Sequence, residues 1–402
     1  MEPLVLRNII ESKRWTAYKD IVNQFIEHGR LTIAELANYL NVSIPYVTKS
    51  LNELIEIGLV CEMGKRESIA KRAPREYALV ASCAYFLGID LGQDSVNVGI
   101  CDFCGNLVFN KYKIPFLYEN KEECLDELID LILQFINETD IDKSQIQNTC
   151  VGVGGRVKPK EGKAYSYFTF LNKPLAQVLS ERLNISVCID NDTRCMTYGE
   201  LLRGCCKGNK DVVFVNVSWG IGIGIVFDGK LYLGKSGYSG EIGHMHIYNN
   251  GIICRCGKVG CMETETSGST LQRKVNKLLQ EGSTSILSDL VINQHKTLTL
   301  QDILDAIGKE DVLCIDALQE VAVELGTNLA GIINVFNPEV LVIGGDLSET
   351  SEYLLPPIYM GIKKYSLNMV SEDSLIKISS LGFKAGLIGA CLMARGKFLD
   401  EF

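Results

Sequence analysis

The sequence predicts an α/β protein in which a small N-terminal module precedes a large body of alternating strands and helices. Apolar strand-like runs that end in glycine begin at Tyr85, and helical stretches such as 125–135 and 317–334 separate them. Strands of this kind, alternating with helices, indicate α/β architecture with ligand sites at the strand ends. Before Tyr85 the pattern differs, with two short helical periodicities and a candidate hairpin. We therefore divide the chain into 1–80 and 81–402.

The composition favours a globular protein of the cytoplasm. Hydrophobic residues make up 47% of the 402 residues and charged residues 22%, which is enough apolar mass for a real core. No apolar run reaches the roughly 18 residues of a membrane helix, and the first residues lack the pattern of a signal peptide. The fifteen cysteines are therefore expected to be reduced thiols, some of them candidate metal ligands. No membrane partner is expected.

The net charge of −9 is unevenly distributed along the chain. Residues 1–80 hold eleven Lys/Arg and ten Asp/Glu, a balance of +1 that leaves −10 for the rest. Five basic residues crowd into 65–75, where Glu67 is the one acidic residue. A near-neutral module with a basic loop on an acidic body indicates local contact with a polyanion, while the body performs another task.

The N-terminal module has the pattern of a winged helix-turn-helix. Thr32 and Glu35 have the spacing of a capping box at the start of a short helix. Pro45 falls in the first turn of a second helix, where its missing N–H is harmless. The runs 59–63 and 76–80 can pair as a hairpin around the basic loop, which completes the wing.

The second helix and the basic loop are the candidate contacts to double-stranded DNA. A small helical oligomerisation module is the alternative, since two capped helices and a hairpin are not unique to DNA readers. Cationic side chains suit phosphates, and hydroxyl or amide groups suit base edges. The candidate DNA-binding residues are Tyr46, Thr48, Lys49, Asn52, Lys65, Arg66, Lys71, Arg72 and Arg75.

One histidine and three cysteines form a candidate metal site. His244, Cys254, Cys256 and Cys261 lie within eighteen residues, and the glycines of the Cys-x-Cys-Gly-x-x-Gly-Cys run let the loop fold back. Three thiolates and one imidazole make the closed tetrahedral set of a structural zinc site, without the open position of a catalytic one. Reduced core cysteines are the alternative. We expect one structural zinc ion.

These residues resemble the motifs of the ROK family, which is named for repressors, open reading frames and kinases. The resemblance runs from about Tyr85 to the C-terminus and implies a two-lobed, actin-like and ribonuclease-H-like fold. With the winged helix in front, the chain is similar to the repressor branch, such as the xylose and N-acetylglucosamine repressors. Family position also selects His244 as the zinc ligand over the nearby His246. The motifs that carry the resemblance lie at 154–157, 191–192, 240–244, 254–263, 337–345 and 385–390.

The resemblance implies a sugar-binding site. In the family, two carboxylates, an Asn-Asp pair and the free edge of the ligating histidine hydrogen-bond the hydroxyls of a sugar. Carboxylates and amides suit a ring of hydroxyls because they accept and donate hydrogen bonds in pairs. For any single acidic residue, a solvated surface charge is the alternative. The implied sugar-binding residues are Gly155, Arg156, Asn191, Asp192, Glu241, His244 and Glu263.

The phosphate loops decide between a kinase and a sensor. Asp192 stands where family kinases have their catalytic general base, so the base is present in either case. Family kinases carry Asp-x-Gly-Gly-Thr-Lys in the first loop, where this chain has Gln93 and Asp94, and Gly-Thr-Gly in the second, where it has Trp219. A carboxylate about 4 Å from a phosphate costs on the order of 1–4 kcal/mol. We therefore expect ATP binding to be lost and Asp192 to be vestigial as a base.

The sequence thus predicts a sugar-responsive, DNA-binding regulator that represses genes of carbohydrate use. Its expected ligands are operator DNA, a sugar or amino sugar, and structural zinc. Self-association is expected because paired heads read a pseudo-palindromic site. The alternative is an active, ATP-dependent sugar kinase with an accessory N-terminal module.

Overall fold

The computed structural model describes residues 15–66 and 74–400. The chain forms two compact units, one of residues 1–190 with 390–402 and one of residues 191–389. The boundary expected at residue 80 falls inside the first unit and stays a prediction. Among the described residues, no helix is both long and apolar enough to cross a membrane.

The N-terminal module is a winged helix-turn-helix, as predicted. Its strands form a small antiparallel sheet in the order β1-β3-β2, which places the wing hairpin beside the helices. Helix α2 begins at the predicted capping box, in which Thr32 and Glu35 bond each other's backbone N–H at 2.8 and 3.2 Å. The elements are α1 (Trp15–His28), β1 (Leu31–Thr32), α2 (Ile33–Leu40), α3 (Ile44–Glu56), β2 (Val60–Lys65) and β3 (Arg75–Leu79).

The rest of the first unit is built on a five-stranded sheet with helices packed against it. The strand order is β10-β7-β4-β5-β6, in which β4, β5 and β6 form an antiparallel meander and β7 runs parallel to β4. These elements are β4 (Tyr85–Leu91), β5 (Ser95–Asp102), β6 (Leu107–Pro115), α4 (Glu122–Asn137), β7 (Ile146–Val153), β8 (Val157–Lys158), β9 (Lys163–Ala164), α5 (Leu175–Leu183) and β10 (Val187–Asn191).

The second unit repeats this plan. Its sheet has the order β13-β12-β11-β14-β15, again an antiparallel meander with a parallel strand beside the first strand of the meander. The elements are α6 (Asp192–Arg203), β11 (Val212–Val217), β12 (Ile221–Phe227), β13 (Lys230–Leu231), α7 (Glu263–Thr266), α8 (Gly268–Gln280), α9 (Ser288–Ile292), α10 (Leu300–Ile307), α11 (Val312–Phe336), β14 (Val340–Gly344), α12 (Ser351–Tyr365), α13 (Asn368–Asp373) and β15 (Leu375–Ile378). The C-terminal helix α14 (Ala385–Phe398) begins in this unit, and its residues from 390 onward belong to the first unit.

The duplicated sheet confirms the predicted two-lobed, actin-like architecture. Each unit has its own apolar core between sheet and helices, centred on α4 in the first unit and on the 25-residue helix α11 in the second. The strand residues of β7, β11 and β14 are buried throughout, as expected for strands covered on both faces.

Candidate functional site

Helix α3 presents three of its four predicted DNA-contacting residues to solvent. Tyr46 is 43% exposed. Lys49 and Asn52 follow it at intervals of three residues and are exposed as well. Side chains at this spacing share one face of a helix. Thr48 differs, because it is partly buried and its hydroxyl donates a hydrogen bond to the Ile44 carbonyl at 2.9 Å.

Exposed apolar side chains also occur in the residues that lead into α3, at Tyr39, Val42 and Ile44, and they are not among the predicted DNA contacts. Ile44 opens α3, and Tyr39 stacks on the His28 ring with centroids 4.4 Å apart. Apolar groups at such positions suit the methyl group of thymine. The sequence could have indicated Ile44, because this residue lies outside the buried stripe of Val47 and Leu51.

The wing holds its arginines in ion pairs. Arg66 pairs with Glu35 at 2.7 Å and with Glu76 at 2.5 Å, so its guanidinium ties α2 to the wing hairpin. Arg75 pairs with Glu62 at 2.8 Å. Lys65 is exposed and has no ion pair among the described residues. The predicted loop residues Lys71 and Arg72 lie outside the described residues.

The four predicted metal ligands meet at one point of the second unit. Their ligand atoms all lie within 4.8 Å of one another. The His244 Nδ1 is 3.5 Å from the Cys254 Sγ, and the Sγ atoms of Cys256 and Cys261 are 3.6 Å apart. A tetrahedral zinc with Zn–S bonds of about 2.3 Å places its sulfurs about 3.8 Å apart. The donor set and its spacing therefore fit zinc.

The loop reaches this geometry through its glycines. Gly257 has φ +84° in the turn between the second and third cysteine. Gly260 has φ +72°, and a Cβ there would lie 1.8 Å from the Tyr248 carbonyl oxygen. Burial raises the pKa of the Cys254 thiol to about 12, so a thiolate there needs a cation beside it.

The His244 ring has two distinct sides. Its Nδ1 faces the three cysteines, and its Nε2 lies 3.7 Å from the Glu241 Oε2. That distance is longer than a hydrogen bond, so the Glu241 carboxylate lies near the second ring nitrogen without bonding it. His246 lies outside this cluster, with its Nδ1 3.0 Å from the Val259 carbonyl oxygen.

The Asn191-Asp192 pair opens helix α6. The Asn191 Oδ1 accepts a hydrogen bond from the Arg194 N–H at 3.2 Å and so caps the helix. The Asp192 Oδ1 accepts from the Asn191 amide at 2.8 Å and from the Thr193 N–H at 2.6 Å. Its Oδ2 has no hydrogen bond to a described residue. Desolvation raises the pKa of the Asp192 carboxyl, and the charges of Arg194 and Arg255 partly oppose that shift.

Glu263 starts helix α7 and is almost fully buried, with 6% of its side chain exposed. Both of its oxygens bind Arg255, and Oε2 also accepts from the Ile221 N–H at 3.2 Å. The remaining two predicted sugar residues, Gly155 and Arg156, belong to the first unit and are exposed in the turn after β7. The second unit thus holds the other five.

Both altered phosphate loops are tied down by their own side chains. The Gln93 amide donates to the Tyr167 hydroxyl at 2.9 Å in the first unit. In the second unit, the Ser218 hydroxyl donates to the Asn216 Oδ1 at 2.8 Å and accepts from the Asp346 N–H at 3.0 Å. The next residue, Trp219, is 44% exposed. An indole therefore stands at the surface of the second loop.

Comparison with known proteins accounts for both parts of the chain. The ROK family matches residues 86–397, and the winged helix-turn-helix DNA-binding family matches residues 19–60. A xylose repressor from Caldicellulosiruptor bescii is 28% identical over 401 residues, which cover 99% of this chain and 96% of the repressor. A glucokinase from Halalkalibacterium halodurans is 29% identical over 312 residues, which cover 76% of this chain and 93% of the kinase.

The solved structures agree with this assignment. The structure of a ROK family transcriptional regulator, described as a homologue of the Escherichia coli MLC protein, is similar with a TM-score of 0.79 at 25% identity. The match covers 95% of this chain and 96% of that chain. Because the family match extends over far more than half of the sequence, the chain belongs to the ROK family.

Proposed function

We propose that this protein is a sugar-responsive transcriptional repressor of carbohydrate-utilisation genes that has lost phosphoryl transfer. One observation carries the proposal: a winged helix-turn-helix precedes a ROK body whose two phosphate loops are altered, while its sugar-facing acidic residues remain. Gln93 and Trp219 mark the two altered loops. A protein with this combination senses a sugar and acts on DNA, in the cytoplasm where the chromosome lies.

The proposed effector is a sugar or amino sugar held by the predicted residues. The bonds from Asn191 and Thr193 fall on the Asp192 Oδ1, so Oδ2 is the proposed acceptor for a hydroxyl, and the family resemblance adds Glu241 and His244 to the same site. Xylose heads the candidate panel because the chain resembles a xylose repressor over nearly its whole length. Effector binding changes DNA affinity by the ratio of the effector's affinities for the two states, typically about 1–3 kcal/mol.

The proposed cofactor is one structural zinc ion on His244, Cys254, Cys256 and Cys261. A closed set of four protein ligands supplies folding energy and leaves no open position for chemistry. On this proposal the ion pins the loop that carries Glu241 at one end and Glu263 at the other. The fit rests on the ligand spacing of at most 4.8 Å.

The proposed DNA-binding form is a dimer. One helix-turn-helix reads one half-site, so paired heads are needed for an operator of two half-sites about one helical turn apart or a multiple of that distance. Tyr46 and Asn52 are proposed to read bases, and Lys49 and Lys65 to contact phosphates.

The alternative function is that of a sugar kinase, and similarity to a known kinase is the reason to test it. The chain is 29% identical to a glucokinase over 312 residues, and Asp192 retains the position of the family's base. A coupled ATP-consumption assay on xylose, glucose and N-acetylglucosamine separates the two. Steady ATP turnover that depends on one sugar overturns the sensor proposal.

The direct test measures binding of the full-length protein to promoter DNA from its own and neighbouring operons, with and without each sugar. We expect tight binding at moderate salt that one sugar weakens. Absence of binding to all of that DNA, or binding that no sugar changes, contradicts the proposal. Random DNA of the same length at the same salt is the control.

A further inference from the structure

Arg255 and Glu263 form a two-pronged ion pair at the base of the cysteine loop. The Arg255 Nε lies 3.0 Å from the Glu263 Oε1, and its Nη2 lies 3.1 Å from Oε2. The two partners differ in exposure, with 59% of the arginine side chain exposed and 6% of the glutamate side chain. The Nη2 contact is a hydrogen bond and the Nε contact is an ionic one, so a single guanidinium touches both oxygens and restricts the plane and direction of the carboxylate.

The same carboxylate also binds the glycine-rich second loop. The Glu263 Oε2 accepts the Ile221 N–H at 3.2 Å, at the first residue of β12. Arg255 stands between the metal ligands Cys254 and Cys256, so its backbone moves with the cysteine loop. The ion pair therefore connects the cysteine loop, helix α7 and the start of β12.

Gly220 leaves the space that this arrangement needs. A Cβ on Gly220 would lie 2.4 Å from the Arg255 Nη2 and 2.5 Å from the Glu263 Oε2. Contacts of that length do not occur, so any other residue at this position must displace the ion pair. The glycine is thus required by the close approach of a guanidinium and a carboxylate to the second loop.

We propose that Arg255 is a positioning residue of the effector site, which holds Glu263 against Gly220 and Ile221 so that the carboxylate meets the sugar in one orientation. This inference rests on the proposed function, in which Glu263 binds the sugar. A buried carboxylate without its cation costs far more than a paired one. A carboxylate held in place beforehand loses less conformational freedom when the sugar binds.

The geometry also sets apart the two roles that the pair can have. A role that is only structural requires a positive charge near Glu263, which a lysine supplies. A positioning role requires the planar fork, which a lysine cannot supply because its ammonium is a point charge. Relative to Arg255→Gln, the Arg255→Lys variant should therefore restore stability whichever role is correct. It should restore sugar affinity only if the role is purely structural.

The test uses the full-length protein and D-xylose, D-glucose and N-acetylglucosamine as probes. Calorimetry gives the affinity of wild type, Arg255→Lys and Arg255→Gln, with thermal unfolding and zinc content measured on the same samples. Trp219 reports binding by fluorescence in a Trp15→Phe background, because the chain has two tryptophans and Trp15 is the buried one. Lys258→Gln is the matched control, since it removes an exposed charge from the same loop.

We expect Arg255→Lys to keep the wild-type zinc content and melting temperature while its affinity for the bound sugar falls about tenfold or more. Gly220→Ala should lower affinity in the same way. Gly331→Ala is its control, because a Cβ there meets nothing within 4 Å. Lys258→Gln and Gly331→Ala should bind sugar like wild type.

Two results would overturn the inference, and they are distinguishable from each other. If wild type binds a sugar and Arg255→Lys binds it equally well, Arg255 does not position Glu263 and the proposed function stands. If wild type binds none of the three sugars and its DNA binding responds to none, the proposed function fails and the inference fails with it.

Discussion

The Trp15 indole Nε1 donates a hydrogen bond to the main-chain carbonyl of Leu399 at 3.3 Å, across 384 positions of sequence. The centroids of the Phe86 and Phe398 rings lie 5.5 Å apart. The Lys19 ammonium donates a hydrogen bond to the Asp400 carbonyl oxygen. Helix α1 of the DNA-binding head thus docks on the end of the C-terminal helix, within one compact unit.

Removal of the Trp15 contact should loosen the head without altering the sugar site. Trp15→Phe keeps an aromatic ring but loses the hydrogen bond, so we expect at least about 0.5–1.5 kcal/mol less stability. Trp15→Ala should cost about 3–5 kcal/mol because it also leaves a cavity. Thermal unfolding and hydrogen exchange of the α1 amides measure both effects. Trp219→Phe is the control, and equal exchange in all three variants would contradict the docking role.

Zinc should be present at about one ion per chain in freshly purified protein, and Cys256→Ser should lose it. Loss of the ion frees the loop between His244 and Cys261, so proteolysis should cut there first. Metal analysis by mass spectrometry gives the content. Cys188→Ser, which changes a cysteine outside the cluster, should keep it. Wild-type protein without zinc, purified without chelator, would contradict the assignment.

Phosphorylation of xylose, glucose or N-acetylglucosamine should be undetectable. The Gln93 amide donates a hydrogen bond to the Tyr167 hydroxyl, and the Trp219 indole is 44% exposed, so we expect neither loop to bind a phosphate as the family kinases do. A coupled assay with a ROK glucokinase as positive control measures the rate. Turnover in the usual enzyme range of about 1–1000 per second would refute this prediction.

Asp192→Asn should make the protein more stable and a weaker sugar binder. Desolvation raises the pKa of Asp192 above its ordinary value. At neutral pH the charged Asp192 carboxylate therefore lowers the free energy of unfolding, which is a cost to the folded state. That cost is absent below about pH 4, the ordinary aspartate pKa, and grows as the pH rises through the raised pKa. The melting temperature of Asp192→Asn should exceed that of wild type at pH 7, by a margin that shrinks on acidification. The exposed Asp228→Asn should show no such margin.

Two wing substitutions should affect DNA binding by different routes. Lys65→Gln removes an exposed cation and should lower affinity on all DNA sequences. The slope of log K against log salt concentration should become shallower by about 0.9. Arg66→Gln leaves Glu35 and Glu76 without their cation, so it should lower the melting temperature of the head as well. Fluorescence anisotropy across a salt series and thermal unfolding separate the two. Equal melting temperatures for both variants would show that the Arg66 ion pairs add no stability.

Local spacing along the chain was enough to predict several elements. The capping box of Thr32 and Glu35 forms as predicted, because its partners are three residues apart and their geometry depends on one helix turn. The cluster of His244 with the three cysteines forms within eighteen residues for the same reason, since glycine turns bring a short loop back on itself. The alternation of strands and helices likewise predicted the α/β architecture, while its division into two lobes was implied by the resemblance to the ROK family.

The partners of the charged residues could not be predicted in this way. Sequence placed Arg66 in a DNA-contacting loop, whereas the fold pairs it with Glu35, 31 positions away. The family resemblance implied a sugar-binding role for Glu263 but no partner within the chain, whereas the fold buries it against Arg255, Gly220 and Ile221.

Local sequence patterns therefore fix the main secondary-structure elements and the residues that act through neighbours a few positions away. Tertiary structure alone decided which charges are neutralised, which carboxylate is buried, and where the head docks on Leu399. The physical reason is that an ion pair or a buried contact depends on the distance between two side chains. For residues tens or hundreds of positions apart, that distance is set by the packing of the whole unit and by nothing in the local pattern.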